Sequence, residues 1–212
     1  MRESTKRIIC YVTGRHGLPP GVLLGEAIRR AVAAGVDWVQ IREKDLTTRE
    51  LSAIARDALA AAAGSRTRIL VNDRLDVAVA ESAGGVHLGG ESMPVDAVRG
   101  WCAGYVNLPA GFLVGRSCHS LQEAQAAERD GADYVIFGPV FATPAKMKFG
   151  PPQGLEKFAA VCRSLRIPVL AIGGITTDNA EDCIRAGAAG VAAIRLFQQP
   201  GGISAIVNRL RA

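Results

Sequence analysis

Short, almost wholly apolar runs alternate along the chain with longer amphipathic ones. IICYV, WVQI, ILVN, GVHL, FLVG, YVIFG, VLAI and VAAI have the composition of strands covered on both faces. They predict strands near 7–13, 37–42, 68–72, 85–88, 112–116, 133–137, 168–172 and 190–194. Helical patterns lie between them. LLGEAIRRAVAAG is amphipathic and closes on Gly35. LTTRELSAIARDALAAAAG opens on the cap region Thr47-Thr48-x-Glu50 and ends at Gly64. SLQEAQAAERDG starts at Ser120 with Glu123 at capping-box spacing, and TTDNAEDCIRAG and 201–211 complete the set. Strand–helix alternation of this kind implies a parallel sheet.

The helix-to-strand junction repeats. AGVDWVQIR at 34–42, AGGVHLG at 83–89, DGADYVIFG at 130–138 and AGAAGVAAI at 186–194 share a small-residue cluster running into a strand. Gly35, Gly84, Gly131 and Gly187 lie roughly fifty residues apart, the length of about two strand–helix units. Eight such units fill 212 residues, which predicts an α/β chain folded as one (β/α)8 TIM barrel over 1–212. An open doubly wound sheet is the rival, but its G-x-G-x-x-G fingerprint is missing. The longest connection, GPVFATPAKMKFGPPQ at 138–153, suits an active-site loop.

Composition narrows the function. At 49% hydrophobic and 21% charged, the chain can bury a large core. No apolar run approaches the roughly 20 residues that cross a bilayer, and the N-terminal segment lacks a signal-peptide apolar stretch. A cytoplasmic protein with no membrane partner is expected. The cysteines Cys10, Cys102, Cys118, Cys162 and Cys183 are scattered without a C-x-x-C pair, so reduced, mostly buried thiols are expected. A net charge of +5 without a basic tract, and with 5% aromatics, gives nucleic-acid binding no support but suits an enzyme of phosphorylated ligands. Zinc clusters, a G-x-S-x-G elbow and a P-loop are all missing from the sequence.

A barrel of this kind works at the carboxyl ends of its strands. After strand 2, alternation puts Gln40, Arg42 and Lys44 on one side, where two cations and an amide suit a phosphate or pyrophosphate; Glu43 could instead salt-bridge them. After strand 3, Asn72-Asp73 reads as a turn or as a Mg²⁺ site through Asp73. After strand 4, His87 reads as structural rather than catalytic, and Glu91 is a possible second carboxylate. After strand 5, Ser117 suits a phosphate and His119 a proton shuttle; Cys118 beside His119 does not make a dyad. Thr143 and Lys146 lie in the long loop after strand 6, Lys146 either solvated or closing over an anion. The loops after strands 7 and 8, with Gly173, Gly174 and Arg195, occupy the habitual phosphate site of the fold.

QIREK, VNDRLDVA, GVHLGGES, GRSCHS, ADYVIFGPVFATPAK, PPQGLE and AIGGIT together resemble the thiamine-phosphate synthase/TenI superfamily over about residues 8–197. The resemblance implies an alkyl transferase of thiamine biosynthesis. It would join hydroxymethylpyrimidine pyrophosphate to thiazole phosphate through a pyrimidine-stabilised carbocation, giving thiamine phosphate and pyrophosphate. It also implies Mg²⁺ as cofactor and small phosphorylated heterocycles as partners; a homo-oligomer stays open. By motif, Arg42, Lys44, Asn72, Ser117 and Lys146 match pyrophosphate contacts, Gln40 a pyrimidine contact, Asp73 a Mg²⁺ ligand, and Thr143 and Gly174 thiazole-phosphate contacts. Three positions depart from the pattern. Ser92 stands where a second Mg²⁺ aspartate is usual, with Glu91 beside it; Ala145 replaces a threonine; Arg195 replaces a phosphate-binding serine and either binds phosphate or fills its cradle. TenI-type thiazole tautomerases, which use a histidine matched by His119, are the close alternative, and a non-catalytic thiazole-phosphate binder is the third.

Overall fold

The structure, a computed structural model, describes residues 7–143, 151–199 and 202–212. The strands are β1 (Ile8–Val12), β2 (Trp38–Ile41), β3 (Arg68–Asn72), β4 (Gly85–Leu88), β5 (Leu113–Cys118), β6 (Tyr134–Phe137), β7 (Val169–Ile172) and β8 (Gly190–Ala193). Each pairs in parallel with its chain neighbours, and β8 returns to β1 with Cys10 opposite Ala192, so the barrel closes in chain order as expected. The helices are α1 (Leu24–Ala33), α2 (Thr48–Ala62), α3 (Leu75–Ala80), α4 (Val95–Ala103), α5 (Leu121–Arg129), α6 (Gly154–Ser164), α7 (Ala180–Arg185) and α8 (Ile203–Arg211). Among the described residues no helix is long and apolar enough to cross a membrane.

Strand alternation divides the core in two. Cys10, Val12, Leu70, Tyr134, Ile136, Leu170 and Ala192 fill the barrel itself. The opposite faces, with Ile9, Val39, Val71, Val86, Val135 and Val191, meet the helices. This double burial is why the strands read as unbroken apolar runs.

The junction repeat has a physical basis. Gly35, Gly131 and Gly187 each lie three residues before a strand with φ of 81°, 95° and 104°, where a side chain is disfavoured. In the fourth unit the corresponding residue is Ser82 (φ 57°), not Gly84. Asp37 and Asp133, two residues after their glycines, each accept a backbone N–H from the preceding strand, that of Ile9 at 3.0 Å and of Val114 at 2.7 Å.

Several boundaries differ from the sequence reading. β5 runs to Cys118 rather than stopping at Arg116, because Ser117 and Cys118 pair in register with Ile136 and Phe137. TTDN is not helical: Asn179 Oδ1 accepts the Thr176 N–H and Thr176 Oγ1 the Asn179 N–H, and α7 begins only at Ala180. Thr47 and Glu50 form a full capping box. At Ser120 only half forms, because Glu123 accepts the N–H of His119 instead.

Candidate active site

At the carboxyl end of the barrel, β2 to β5 contribute a connected polar layer. Gln40 and Asn72 point inward and are buried; Gln40 Nε2 donates to Asn72 Oδ1 at 2.8 Å. Asn72 Nδ2 donates in turn to Asp73 Oδ2 at 2.7 Å. Gln40 Oε1 is buried without a partner among the described residues.

Glu43 does not salt-bridge Arg42 or Lys44. It is 6% exposed and turned toward the end of β1. There it accepts from Thr13 Oγ1 (2.6 Å), the Arg15 N–H (3.1 and 3.2 Å to its two oxygens) and Arg15 Nη1 (3.3 Å). Thr13 Oγ1 also accepts the Arg42 N–H at 2.9 Å, so this brace fixes the backbone that carries Arg42. Arg15 is further held by Asp45. Arg42, half-buried, and Lys44, exposed, make no ion pair with a described residue.

Asp73 sits in the left-handed region (φ 61°), which turns its carboxylate toward the β4 loop. Oδ1 accepts the Gly89 N–H at 3.1 Å and a short hydrogen bond from the Ser92 hydroxyl. Burial would raise its pKa, but the Ser92 hydroxyl, the Gly89 N–H and the nearby Lys44 charge outweigh burial and hold the carboxyl below its usual range. Glu91 is exposed; Ser92, not Glu91, is the group on Asp73. Arg116 Nη2 donates to the Gly90 carbonyl at 3.2 Å and tethers the same loop.

His87 is 1% exposed. Burial pushes its pKa down to about 3, with Asp73 opposing and Arg116 and Arg42 reinforcing, so the ring is neutral. Nδ1 meets Tyr134 Oη at 3.0 Å and Nε2 meets Ser117 Oγ at 2.8 Å, which bears out its structural reading. His119 Nδ1 meets the Gly138 carbonyl at the start of the β6 loop.

The opposite half of the mouth is built from backbone. Phe141 N–H donates to the Gly173 carbonyl at 3.0 Å and Val140 N–H to Ile172 at 2.8 Å, stitching the β6 and β7 loops together. Gly173 (φ 96°) and Gly174 (φ 64°) need their hydrogen side chains: a Cβ on Gly174 would lie 2.6 Å from the Ala142 carbonyl, one residue before Thr143. The backbone leading into Thr143 therefore lies against Gly174. Arg195 opens a 3₁₀ helix, Arg195–Gln198, and is exposed, so it does not fill a closed cradle. Lys146 and Ala145 lie outside the described residues.

A sequence profile of the thiamine monophosphate synthase family matches residues 9–197, from β1 through that 3₁₀ helix. The chain belongs to the thiamine monophosphate synthase family. A thiamine-phosphate synthase of Methanoculleus marisnigri is 42% identical over 203 residues, covering 95% of this chain and 92% of that one. Its counterpart in Methanocella arvoryzae is 39% identical over 202 residues, covering 95% and 92%. A solved thiamine phosphate pyrophosphorylase of Pyrococcus furiosus superposes with a TM-score of 0.83 at 33% identity, covering 98% of this chain and 95% of that one. The matched region contains every candidate residue named above. Thr13 and Arg15 lie in none of the motifs quoted for the resemblance, and Gly115 and Tyr134 lie in GRSCHS and ADYVIFGPVFATPAK with no role read for them; they brace the matched side chains from neighbouring strands.

Proposed function

We propose that this chain is a thiamine-phosphate synthase, joining a hydroxymethylpyrimidine pyrophosphate to a thiazole phosphate. The observation that carries the reading is the unspent charge of Arg42 and Lys44. Glu43, the nearest acid in sequence, is consumed by Thr13 and Arg15, so both cations are left for an anionic guest. The carbon–oxygen bond between the pyrimidine methylene and pyrophosphate breaks with its electron pair on the leaving oxygen. Arg42, Lys44 and the Ser117 hydroxyl, with Lys146 by motif, stabilise that charge. The thiazole nitrogen then bonds to the methylene carbon, and the positive charge ends on the thiazolium ring; no proton need be transferred. The buried Gln40 Oε1 offers an acceptor for an N–H donor on the pyrimidine. The glycine loop beside Thr143 offers a cradle for the second phosphate.

Mg²⁺ fits this site through Asp73. Among the described residues no group of three or more His, Cys, Asp or Glu gathers, but Mg²⁺ commonly uses one or two carboxylates with substrate phosphate oxygens. When bound it would neutralise charge developing on pyrophosphate.

Purified protein with both substrates and Mg²⁺ should release pyrophosphate and form thiamine phosphate. Arg42→Ala and Lys44→Ala should each cost on the order of 10²-fold in kcat/KM. Turnover unaffected by both substitutions, or metal-independent isomerisation of a thiazole carboxylate phosphate in place of condensation, would overturn the reading.

A further inference from the structure

We propose that Tyr134 and His87 are positioning residues that fix the direction of the Ser117 hydroxyl. The Tyr134 O–H donates to His87 Nδ1, the His87 Nε2–H donates to Ser117 Oγ, and the Ser117 proton is left free to point into the barrel mouth at a departing pyrophosphate. The proposal rests on the reading above, in which Ser117 faces that group.

The polarity of this chain follows from counting hydrogens. A neutral imidazole carries one N–H, on one nitrogen only. If it sat on Nδ1, it would donate to Tyr134 Oη, and the Tyr134 hydroxyl hydrogen would be buried without an acceptor, since His87 Nδ1 is its one partner among the described residues. Nε2 would then draw the Ser117 proton inward, away from the mouth. With the N–H on Nε2, the Tyr134 hydrogen, the imidazole hydrogen and both ring nitrogens are all satisfied. Ser117 becomes a directed donor whose oxygen is already polarised from behind.

The fold makes room for this arrangement. Tyr134 rises from β6 inside the barrel and reaches across β5 to a histidine on β4. A Cβ at Gly115 would lie 2.0 Å from Tyr134 Cζ, so only glycine at this position lets the phenol pass. Trp38 packs against the ring at a tilt, with centroids 4.6 Å apart. Tyr134 is 1% exposed, and burial holds its pKa well above the usual value, so it remains a donor across the working range.

Two measurements test the relay. The ¹⁵N shifts of His87, assigned against the two other histidines with His87→Gln, should report a neutral ring with its hydrogen on Nε2. Calorimetric titration with inorganic pyrophosphate in magnesium buffer should show Ser117→Ala weakening binding roughly tenfold, the worth of one hydrogen bond to a charged group. Tyr134→Phe, which keeps the packed ring, should weaken binding severalfold alone but not at all in the Ser117→Ala background. A hydrogen on Nδ1, or an equal effect of Tyr134→Phe in both backgrounds, would overturn the relay. So would an unchanged affinity in Ser117→Ala alongside weakened binding in Arg42→Ala, which leaves the charge clamp standing. Pyrophosphate binding unaffected by all of these substitutions would remove the functional reading, and the relay with it.

Discussion

Glu43→Ala is the substitution that most directly tests how the mouth keeps its cations free. The side chain is nearly buried and receives the Thr13 hydroxyl at 2.6 Å, the Arg15 N–H and the Arg15 guanidinium at 3.3 Å. Removing it strands two donors, the Thr13 hydroxyl and the Arg15 N–H, in a part-buried setting. At about 1.5–2 kcal/mol for each charge-assisted bond lost, the expected cost is about 3–4 kcal/mol. The guanidinium contributes less, because Asp45 still holds it and Arg15 is partly exposed. Glu43→Gln can keep the bonds from Thr13 and the Arg15 N–H but sets an amide against a guanidinium, so about 1–2 kcal/mol is expected. Thr13 also anchors the Arg42 N–H, so both variants should raise KM for the pyrophosphate-bearing substrate more than they lower kcat. Urea unfolding gives the first quantity and steady-state pyrophosphate release the second. Glu26→Ala, which breaks the exposed Glu26–Arg30 pair on α1, is the control and should change stability by less than about 0.5 kcal/mol. An Ala variant at Glu43 that matched this control, with KM unaltered, would refute the brace.

Three further outcomes are expected. Gly115→Ala should cost about 3 kcal/mol or more, read as a lowered unfolding midpoint, because its Cβ would lie 2.0 Å from a ring atom of Tyr134, which is buried and packed against Trp38. His87 has a folded pKa lowered from 6.5 to about 3, so the stability it contributes is present above pH 6.5 and lost as pH falls from 6.5 toward 3. The loss is up to about 5 kcal/mol at 1.36 kcal/mol per unit, and acid titrations of His87→Gln should show a flatter slope in that window. Burial pushes the Cys10, Cys118, Cys162 and Cys183 thiols up to about 12 from 9, so their contribution is complete below pH 9 and lost as pH rises through 12. The same thiols should react with an aromatic disulfide at pH 8 far more slowly in the native than in the unfolded protein.

The barrel was legible because its strands are buried on both faces and its junctions repeat. Apolar runs located all eight strands to within two residues at either end. The repeat was misaligned in one unit, where Ser82 takes the left-handed position that a search for glycine assigns to Gly84. Helices α3, α4 and α6 carried weaker marks. α3 is six residues long, too short for a periodicity, and neither α4 nor α6 has a side-chain cap at its first turn. β5 was cut short because Ser117 looks like a loop residue. It is in fact a strand residue whose polarity is satisfied across the barrel by His87, a contact 30 positions away that no local pattern encodes.

The same distinction separates what the sequence revealed of the mouth from what it hid. Polar residues at strand ends announce themselves by type and parity, so Gln40, Arg42, Lys44, Asn72, Asp73 and Ser117 were all readable as candidates. Whether a charge is available depends on who neutralises it, and that is decided by partners from other strands. Glu43 is adjacent to both cations in sequence, yet it is used by Thr13 and Arg15 some thirty residues upstream. Asp73 accepts hydrogen bonds from neutral groups, the Ser92 hydroxyl and the Gly89 N–H, and feels the Lys44 charge without forming an ion pair with it. The structure thus engages Glu43 and Asp73 with partners other than Arg42 and buries the neutral His87 beneath the mouth. Charges left unpaired over a low-dielectric floor act more strongly on a polyanionic guest than the same charges in water. That arrangement makes a pyrophosphate departing into this mouth a better account of its construction than the isomerisation of a thiazole carboxylate phosphate, in which no anion departs.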